Sequence, residues 1–250
     1  MSAPLVVLDG VTRSFPLPAD RRSTTGTTSV DVLAGVDLVV REGDYTAVLG
    51  RSGAGKSTLL SIIGLLDRPT GGRHLFGGLD VTRAPDGLRV AERAERIGFV
   101  FQAFHLVAGL TVLENVALAG LYSGRSRSER LADAARALET VGLSHRRDAL
   151  PPTLSGGERQ RAAVARAVAS NPRLLLADEP TGNLDRENAD GVMRLFADLN
   201  GAGQTILVIT HDDAVASLAR RRIRLEHGRI REEDRDESAS EGGVSGAAAR

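Results

Sequence analysis

Residues 50 to 57 read Gly50-Arg51-Ser52-Gly53-Ala54-Gly55-Lys56-Ser57 and match the pattern G-x-x-x-x-G-K-[S/T]. The apolar run Tyr45–Leu49 stands before this segment, and the segment Lys56–Leu66, with helical periodicity, follows it. That order predicts a strand, a loop and a helix. Glycines allow the backbone N–H groups of such a loop to converge on an anion, and the helix N-terminus adds its dipole. The segment is therefore predicted to bind phosphate groups, the alternative being an ordinary Gly-rich turn before a helix.

Lys56 is the single lysine among the 32 lysine and arginine residues of the chain. Arginine replaces lysine where only a surface charge is needed, but its planar guanidinium does not replace a compact ammonium that reaches a phosphate. In a phosphate-binding loop, Lys56 would reach the β- and γ-phosphates, and the hydroxyl of Ser57 would ligate Mg²⁺. We place Thr58, the next residue, in the same nucleotide site.

Apolar runs rich in Val, Ile and Leu alternate along the chain with segments of helical periodicity. The runs are Leu5–Leu8, Val36–Val40, Thr46–Leu49, Ile97–Phe101, Leu174–Ala177 and Ile206–Ile209, and the helical segments are Lys56–Leu66, Ser128–Val141, Glu158–Ala169 and Asn188–Leu199. Runs that are apolar at nearly every position are typical of strands buried on both faces of a parallel sheet. Their alternation with helices predicts the α/β class.

The composition narrows the class of protein. The 250 residues, 42% of them apolar and 26% charged, are sufficient for one large globular domain or two smaller ones. The 32 basic residues balance 32 acidic residues, so no global positive field attracts nucleic acid, and we predict no nucleic-acid partner. The absence of cysteine excludes disulfides and thiolate metal sites.

Neither membrane spans nor export signals are predicted. The longest strongly apolar run, Leu59–Leu66, is too short to cross a bilayer, and residues 1–10 lack the basic and apolar regions of a secretory signal. We therefore expect a soluble, cytosolic chain. Residues 16–29 form a polar insertion that is interpreted as a loop, and residues 232–250 mix acidic residues with Ser, Gly and Ala, which predicts a disordered tail.

An acidic pair follows the apolar run in Leu174-Leu175-Leu176-Ala177-Asp178-Glu179. A nucleotide-hydrolysing site needs a carboxylate at the end of a neighbouring buried strand to hold Mg²⁺. Asp178 is predicted to hold the ion, directly or through water, and Glu179 to orient or deprotonate the attacking water. A strand that ends in a solvated acidic turn is the alternative for this run taken alone.

The segment Leu154-Ser155-Gly156-Gly157-Glu158-Arg159-Gln160 resembles the signature motif of the ATP-binding-cassette (ABC) family, which other phosphate-loop ATPases lack. Ser155 and Glu158 also have the spacing of a capping box, and a capped helix that begins with Gly156 and Gly157 forms a second anion site. The resemblance covers roughly residues 5–231. It implies an ABC ATPase domain over residues 1–231, with a RecA-like core, an N-terminal antiparallel β subdomain and a helical subdomain at about 103–154.

The resemblance also implies an assembly. In this family the signature lies far from the phosphate loop of its own subunit and closes over the nucleotide bound by another subunit. One phosphate loop and one signature per chain therefore imply a homodimer with two shared sites for ATP and Mg²⁺.

Four further positions resemble functional residues of the family. Gln102 resembles the Q-loop glutamine that meets Mg²⁺ or the attacking water. Asp185 resembles the D-loop aspartate at the dimer interface, and His211 resembles the switch histidine that contacts the γ-phosphate. Phe15 stands where the family commonly has a tyrosine that stacks on adenine, and a phenyl ring offers the same face for stacking.

The stretches Ile97–Leu106, Leu110–Val116 and Ala177–Asp185 resemble the MacB/LolD group of these ATPases. The resemblance implies an integral-membrane permease with a large extracytoplasmic domain as partner, and a peripheral position at the cytoplasmic face of the cell membrane. Such pairs transmit motion across the membrane to extract lipoproteins or expel peptides and antibiotics.

The same nucleotide motifs are compatible with other functions within the family. An FtsE-like ATPase, whose membrane partner controls cell-wall hydrolases and transports nothing, would have the same nucleotide motifs and stays open. A cassette of DNA repair or translation is disfavoured, because the chain has neither a coiled-coil or zinc insertion nor a second cassette. An inactive nucleotide-binding module is disfavoured because Lys56, Asp178, Glu179 and His211 are all present.

Overall fold

The computed structural model describes residues 2–16 and 29–233. These residues form ten strands, seven α-helices and three short 3-10 helices. The strands are β1 (Pro4–Pro16), β2 (Ser29–Arg41), β3 (Tyr45–Leu49), β4 (Gly71–Phe76), β5 (Leu79–Asp80), β6 (Ile97–Phe101), β7 (Leu174–Asp178), β8 (Thr205–Ile209), β9 (Arg221–Glu226) and β10 (Arg229–Glu232). The α-helices are α1 (Lys56–Ile63), α2 (Asp86–Arg96), α3 (Val112–Ala117), α4 (Arg127–Thr140), α5 (Gly156–Val168), α6 (Arg186–Gly201) and α7 (Asp213–Ser217), and the 3-10 helices are Leu118–Gly120, Ser144–Arg146 and Pro151–Thr153.

The strands form two sheets. One is antiparallel with the order β2-β1-β4-β5, and the other has six strands in the order β10-β9-β3-β8-β7-β6. In the second sheet β9, β3, β8, β7 and β6 run parallel, and β10 pairs antiparallel with β9. The parallel sheet with helices, together with a separate antiparallel sheet at the N-terminus, confirms the α/β class.

The parallel sheet is buried on both of its faces. In β7, Leu175 and Ala177 pack in one hydrophobic core with side chains of α3 to α7, whereas Leu174 and Leu176 pack in a second core with α1 and the antiparallel sheet. Successive side chains of a strand point to opposite faces. The run is apolar at every position because each face of the sheet has its own core.

Two of the predicted apolar runs lie in the antiparallel sheet and not in the parallel one. Leu5–Leu8 and Val36–Val40 lie in β1 and β2, which pair antiparallel with each other, so the expectation from their pattern of a parallel sheet was wrong. A short apolar run does not distinguish parallel from antiparallel pairing, because both kinds of strand are buried here. The antiparallel subdomain that the family resemblance implies is the one that the structure contains.

The four predicted helices are present with shifted ends. Helix α1 ends at Ile63, three residues before the predicted end, because the chain leaves the helix at Gly64 and Leu65 has a left-handed φ of 58°. Helices α2, α3 and α7 were not predicted. Helix α2 lacks an apolar stripe because its buried side chain is Arg89, which donates hydrogen bonds to the backbone carbonyls of Asp67 and Val81.

The bounds of the insertion and of the tail also change. Pro16 ends β1 and Ser29 begins β2, and the two residues pair with each other, so both belong to the sheet and not to the predicted loop 16–29. Glu232 ends β10, so the predicted tail 232–250 begins inside a strand. The rest of these two predictions, residues 17–28 and 234–250, lies outside the described residues.

The segment 103–154, predicted as a helical subdomain, contains α3, α4 and the three 3-10 helices. Within residues 2–16 and 29–233, no helix has the length and apolar character that crossing a membrane requires.

His74 in β4 is fully buried, and within residues 2–16 and 29–233 neither of its ring nitrogens has a hydrogen-bond partner. The pKa of His74 is lowered from 6.5 to about 4, first by burial and then by the positive charge of Arg89, which together outweigh the opposite effect of Asp80. As the pH falls, His74 is therefore protonated near pH 6.5 in the unfolded chain but only near pH 4 in the folded protein. The free energy of unfolding should therefore decrease by up to roughly 3 kcal/mol as the pH falls from 6.5 to about 4.

Replacing His74 with leucine is expected to flatten the pH dependence of stability between pH 6.5 and pH 4, because the group that titrates differently in the two states is gone. The measurement is the free energy of unfolding in urea at several pH values. His145→Leu, at an exposed position, is the matched control and should keep the slope of the parent protein. A slope that His74→Leu leaves unchanged would contradict the prediction.

Candidate active site

The loop between β3 and α1 is shaped to receive an anion. Gly55 precedes α1 with a left-handed φ of 98°, and a Cβ at this position would lie 2.8 Å from the carbonyl oxygen of Val32. The N-cap residue Gly55 has no side chain that could cap α1, and in the part of the chain that the structure describes no side chain caps the N–H groups of its first turn. These N–H groups and the helix dipole together suit a phosphate group.

Lys56, the first residue of α1, folds back over this loop. Its Nζ donates hydrogen bonds to the carbonyl oxygens of Gly50 at 2.7 Å and Arg51 at 3.2 Å. An ammonium has three donors, so one stays available to a phosphate oxygen. The two carbonyls hold the positive charge at the mouth of the loop.

The predicted catalytic residues meet because of the strand order. Strands β3, β8, β7 and β6 are neighbours and parallel, so their carboxyl ends lie at the same edge of the sheet. A cleft of about 730 Å³ opens at this edge. Its lining residues are Val32, Gly50, Arg51, Ser52, Gly53, Gly55, Lys56, Ser57, Thr58, Gln102, Asp178, Glu179 and His211. Ala54 lines an adjoining depression beside β2.

Glu179 and His211 contact each other directly, which the sequence did not reveal. The Nδ1 atom of His211 lies 2.8 Å from both carboxylate oxygens of Glu179. Glu179 has a left-handed φ of 47°, and its backbone N–H donates to the carbonyl of Ile209 at 2.9 Å. Non-glycine residues in this region are strained, and such strain clusters at active sites. The strained turn holds the carboxylate against the imidazole.

Three oxygen donors line the cleft beside Lys56, namely the hydroxyl of Ser57, the carboxyl of Asp178 and the side-chain amide of Gln102. Burial raises the pKa of Asp178, as does the negative charge of Glu179, whereas Lys56 lowers it. Hydroxyl, carboxylate and amide oxygens are the ligands that Mg²⁺ prefers, usually together with phosphate oxygens of a nucleotide. The residues present therefore fit a magnesium ion at a nucleotide.

The signature residues lie elsewhere and do not line this cleft. Ser155 caps the N-terminus of α5 with the predicted capping box, in which its Oγ accepts from the N–H of Glu158 at 3.2 Å and its own N–H donates to Glu158 Oε2 at 2.8 Å. The first turn of α5 packs against the start of α6, where Gly157 lies so close to Asn188 that a Cβ would meet its Oδ1 at 1.9 Å. The second predicted anion site is thus apart from the first.

Asp185 and Phe15 also lie outside the cleft lining. Asp185 caps the N-terminus of α6, and the pKa of its carboxyl is lowered because it accepts hydrogen bonds from Asn188. Phe15 lies in β1, paired with Val30, and is 39% exposed with the guanidinium of Arg13 4.5 Å from the centre of its ring. Stacking of Phe15 on adenine stays a prediction.

Two residues beside the cleft, Val32 and Asn183, are not among the predicted site residues. Val32 lines it from β2, where the local pattern is that of any strand. Asn183 exchanges two hydrogen bonds with Gln102 across the ends of two strands, a contact that depends on the folded sheet.

Comparison with known proteins decides the family. Residues 33–182 match the model of the ABC transporter family. The chain belongs to the ABC transporter family. It is 48% identical over 207 residues to the lipoprotein-releasing ATP-binding protein LolD of Geobacter metallireducens, covering 82% of this chain and 92% of that protein. It is 42% identical over 230 residues to the macrolide export ATP-binding/permease protein MacB of Marinobacter nauticus.

The match to MacB covers 92% of this chain but only 34% of that longer protein, which also includes a permease by its name. Among solved structures, the dimeric bacterial ABC transporter cassette MJ0796 superimposes with a TM-score of 0.79 at 38% identity, over 92% of this chain and 98% of that one. A second structure of MJ0796, bound to ADP and Pi after hydrolysis, gives a TM-score of 0.80 at 37% identity, again over 92% of this chain and 98% of that one. The ABC ATPase fold is thereby confirmed, and the chain is an ATP-binding, ATP-hydrolysing ABC cassette.

Proposed function

We propose that two copies of this cassette close on two molecules of Mg·ATP and thereby drive a membrane permease of the MacB/LolD kind. The observation that carries the proposal is the separation of the two anion sites, because the phosphate-loop cleft contains none of the residues Ser155, Gly156 and Gly157. A second copy would supply its signature helix and Asp185 to the open side of the cleft. The dimeric assembly of MJ0796 supports this arrangement.

Each residue of the cleft has a role in this mechanism. The N–H groups of the loop and Lys56 bind the phosphates, while Ser57, Asp178 and Gln102 would hold Mg²⁺, whose charge offsets that of the phosphate oxygens. Glu179 orients or deprotonates the water that attacks the γ-phosphate in line. The catalytic effect comes mainly from position and from stabilisation of charge.

The contact between Glu179 and His211 supports a second role at the γ-phosphate, that of His211. With Nδ1 of His211 next to the carboxylate, the imidazole is oriented and its Nε2 is left for the γ-phosphate. Closure of the dimer therefore brings the water, the carboxylate and the imidazole to one phosphorus atom.

An apolar groove beside the cleft suits a permease segment. The surface formed by Leu66, Val90, Phe99, Phe101 and Tyr122 is called the docking groove. Tyr122 is 79% exposed and Leu66 is 51% exposed, which is unusual for a cluster of large apolar side chains. Phe101 directly precedes Gln102, so a segment in this groove lies beside the magnesium ligand.

The docking groove is also connected by hydrogen bonds to α5, the helix that follows the signature motif. Arg166, near the C-terminus of α5, donates to the carbonyl oxygens of His105 at 2.5 Å and Phe104 at 2.9 Å. The ring of His105 packs edge-on against Phe101 with centroids 5.5 Å apart. Movement of a segment in the groove would therefore reach the signature helix and the cleft together.

The names of the relatives suggest the cargo class. LolD belongs to a lipoprotein-releasing system and MacB exports macrolides. We infer that the cassette sits at the cytoplasmic face of the membrane through its permease, and that the pair exports or extracts hydrophobic cargo. The permease would have a large extracytoplasmic domain that receives the movement.

Tyr122→Asp in the docking groove is expected to abolish capture of the permease while leaving the ATPase rate of the isolated cassette unchanged. Loss of one well-packed aromatic side chain costs about 2 kcal/mol or more at an interface, roughly thirtyfold in Kd. The tagged cassette is incubated with detergent-solubilised membranes, and bound proteins are quantified by mass spectrometry.

Leu218→Asp provides the matched control, because Leu218 is 44% exposed and does not line the groove. It should capture as much permease as the parent protein. Equal capture by Tyr122→Asp would reject the groove as docking surface. A captured membrane protein that binds cell-wall hydrolases would favour the FtsE-like alternative over transport.

A further inference from the structure

Gln102 and Asn183 exchange hydrogen bonds in a closed pair. Gln102 Nε2 donates to Asn183 Oδ1 at 3.2 Å, and Asn183 Nδ2 donates to the backbone carbonyl of Gln102 at 3.0 Å. Gln102 follows β6 and lines the cleft, whereas Asn183 follows the acidic end of β7 by five residues. The pair thus joins the two strand ends on which the proposed magnesium site depends.

This pair settles which end of each amide faces which way. An amide side chain has an acceptor oxygen at one end and a donor nitrogen at the other. The Nδ2 of Asn183 donates to the backbone carbonyl of Gln102, which can only accept. The Oδ1 of Asn183 is therefore the atom that faces the side-chain amide of Gln102. Gln102 therefore turns its nitrogen toward Asn183, and its Oε1 is the atom left for the cleft. A ligand of Mg²⁺ must be that oxygen, since the amide nitrogen does not bind the ion.

The backbone on both sides of the pair is fixed independently. Gln160 of α5 is fully buried, and its Nε2 donates to the carbonyl oxygens of Pro180 at 2.5 Å and Phe101 at 3.3 Å. Gly182 lies against Gln102, where a Cβ would meet Nε2 at 2.8 Å. Gln102 and Asn183 are themselves exposed to solvent, so their mutual hydrogen bonds and this packing are what restrict the amide of Gln102.

We propose that Asn183 is a positioning residue that presents Oε1 of Gln102 to Mg²⁺ and the attacking water. This inference rests on the proposed role of Gln102 in the cleft. Without Asn183 the exposed amide would sample both orientations and several rotamers, and part of its population would offer N–H groups to the cation. Asn183 is also two residues from Asp185, so the same hydrogen bonds link the magnesium ligand to the segment expected at the dimer interface.

Asn183→Ala is expected to weaken divalent-cation binding about tenfold, a typical effect of removing the partner that orients a metal ligand. The readout is Mn²⁺ binding, followed by electron paramagnetic resonance, to protein loaded with a non-hydrolysable ATP analogue. Gln102→Ala should weaken Mn²⁺ binding at least as much, and the double variant should bind like Gln102→Ala alone, because Asn183 acts only through Gln102.

Asn200→Ala is the matched control, since Asn200 also donates two hydrogen bonds to backbone carbonyls, those of Gly43 and Gln204, away from the cleft. It should lower the Tm without changing Mn²⁺ affinity. Unchanged Mn²⁺ affinity in Asn183→Ala, or effects that add in the double variant, would overturn the positioning role. If Gln102→Ala also binds Mn²⁺ normally, the proposed role of Gln102 fails as well, and the two failures are thereby distinguished.

Discussion

Glu179→Gln is expected to lower the rate of ATP hydrolysis by about 10²–10⁴-fold while ATP binding survives. The substitution removes the carboxylate that orients or deprotonates water, but it keeps the size of the side chain on the strained turn. The phosphate loop, Lys56 and Asp178 are unchanged, so the groups that bind the nucleotide remain. Since the closed dimer would reopen through hydrolysis, this variant should accumulate as an ATP-bound dimer.

Two measurements test this prediction. Phosphate release gives the rate, and light scattering after size-exclusion chromatography in Mg·ATP gives the mass of the particle. Glu139→Gln makes the same change of charge at an exposed position in the last turn of α4 and should behave like the parent protein. A parent-like rate in Glu179→Gln would show that another group activates the water, and a monomer in Mg·ATP would argue against the shared site.

The cleft was predictable because its residues stand next to buried strands. Asp178 ends β7, Gln102 directly follows β6, and the loop of Lys56 follows β3. Parallel strands place such positions at one edge of a sheet. The positions of these residues at the ends of buried strands are therefore enough to predict that they cluster in space, even when no side-chain contact is known.

Contacts that depend on the folded sheet could not be predicted in the same way. The hydrogen bonds of Asn183 with Gln102 join residues 81 positions apart, and nothing near either residue signals them. His74 resembles any polar residue of a strand in the sequence, and its complete burial is visible only in the folded protein. Helix α2 was not predicted because Arg89 occupies its buried position, where the pattern of an amphipathic helix requires an apolar side chain.

Lys56→Arg is expected to abolish most ATP hydrolysis, with a loss of about 10²-fold or more, although the charge is conserved. The ammonium fits between the carbonyl oxygens of Gly50 and Arg51 and still has a donor for phosphate. A guanidinium is larger and planar, and its fixed fork of donors does not match two carbonyls of one tight loop.

Nucleotide binding by calorimetry and phosphate release separate a binding defect from a catalytic one, and both are expected for Lys56→Arg. Arg229→Lys is the reverse exchange at an exposed position of β10 and should leave both quantities unchanged. If Lys56→Arg hydrolyses ATP normally, the interpretation of residues 50–57 is wrong. If it fails while Arg229→Lys does not, a chain that otherwise uses arginine for its positive side chains has kept lysine at Lys56 because phosphate transfer requires a compact ammonium there.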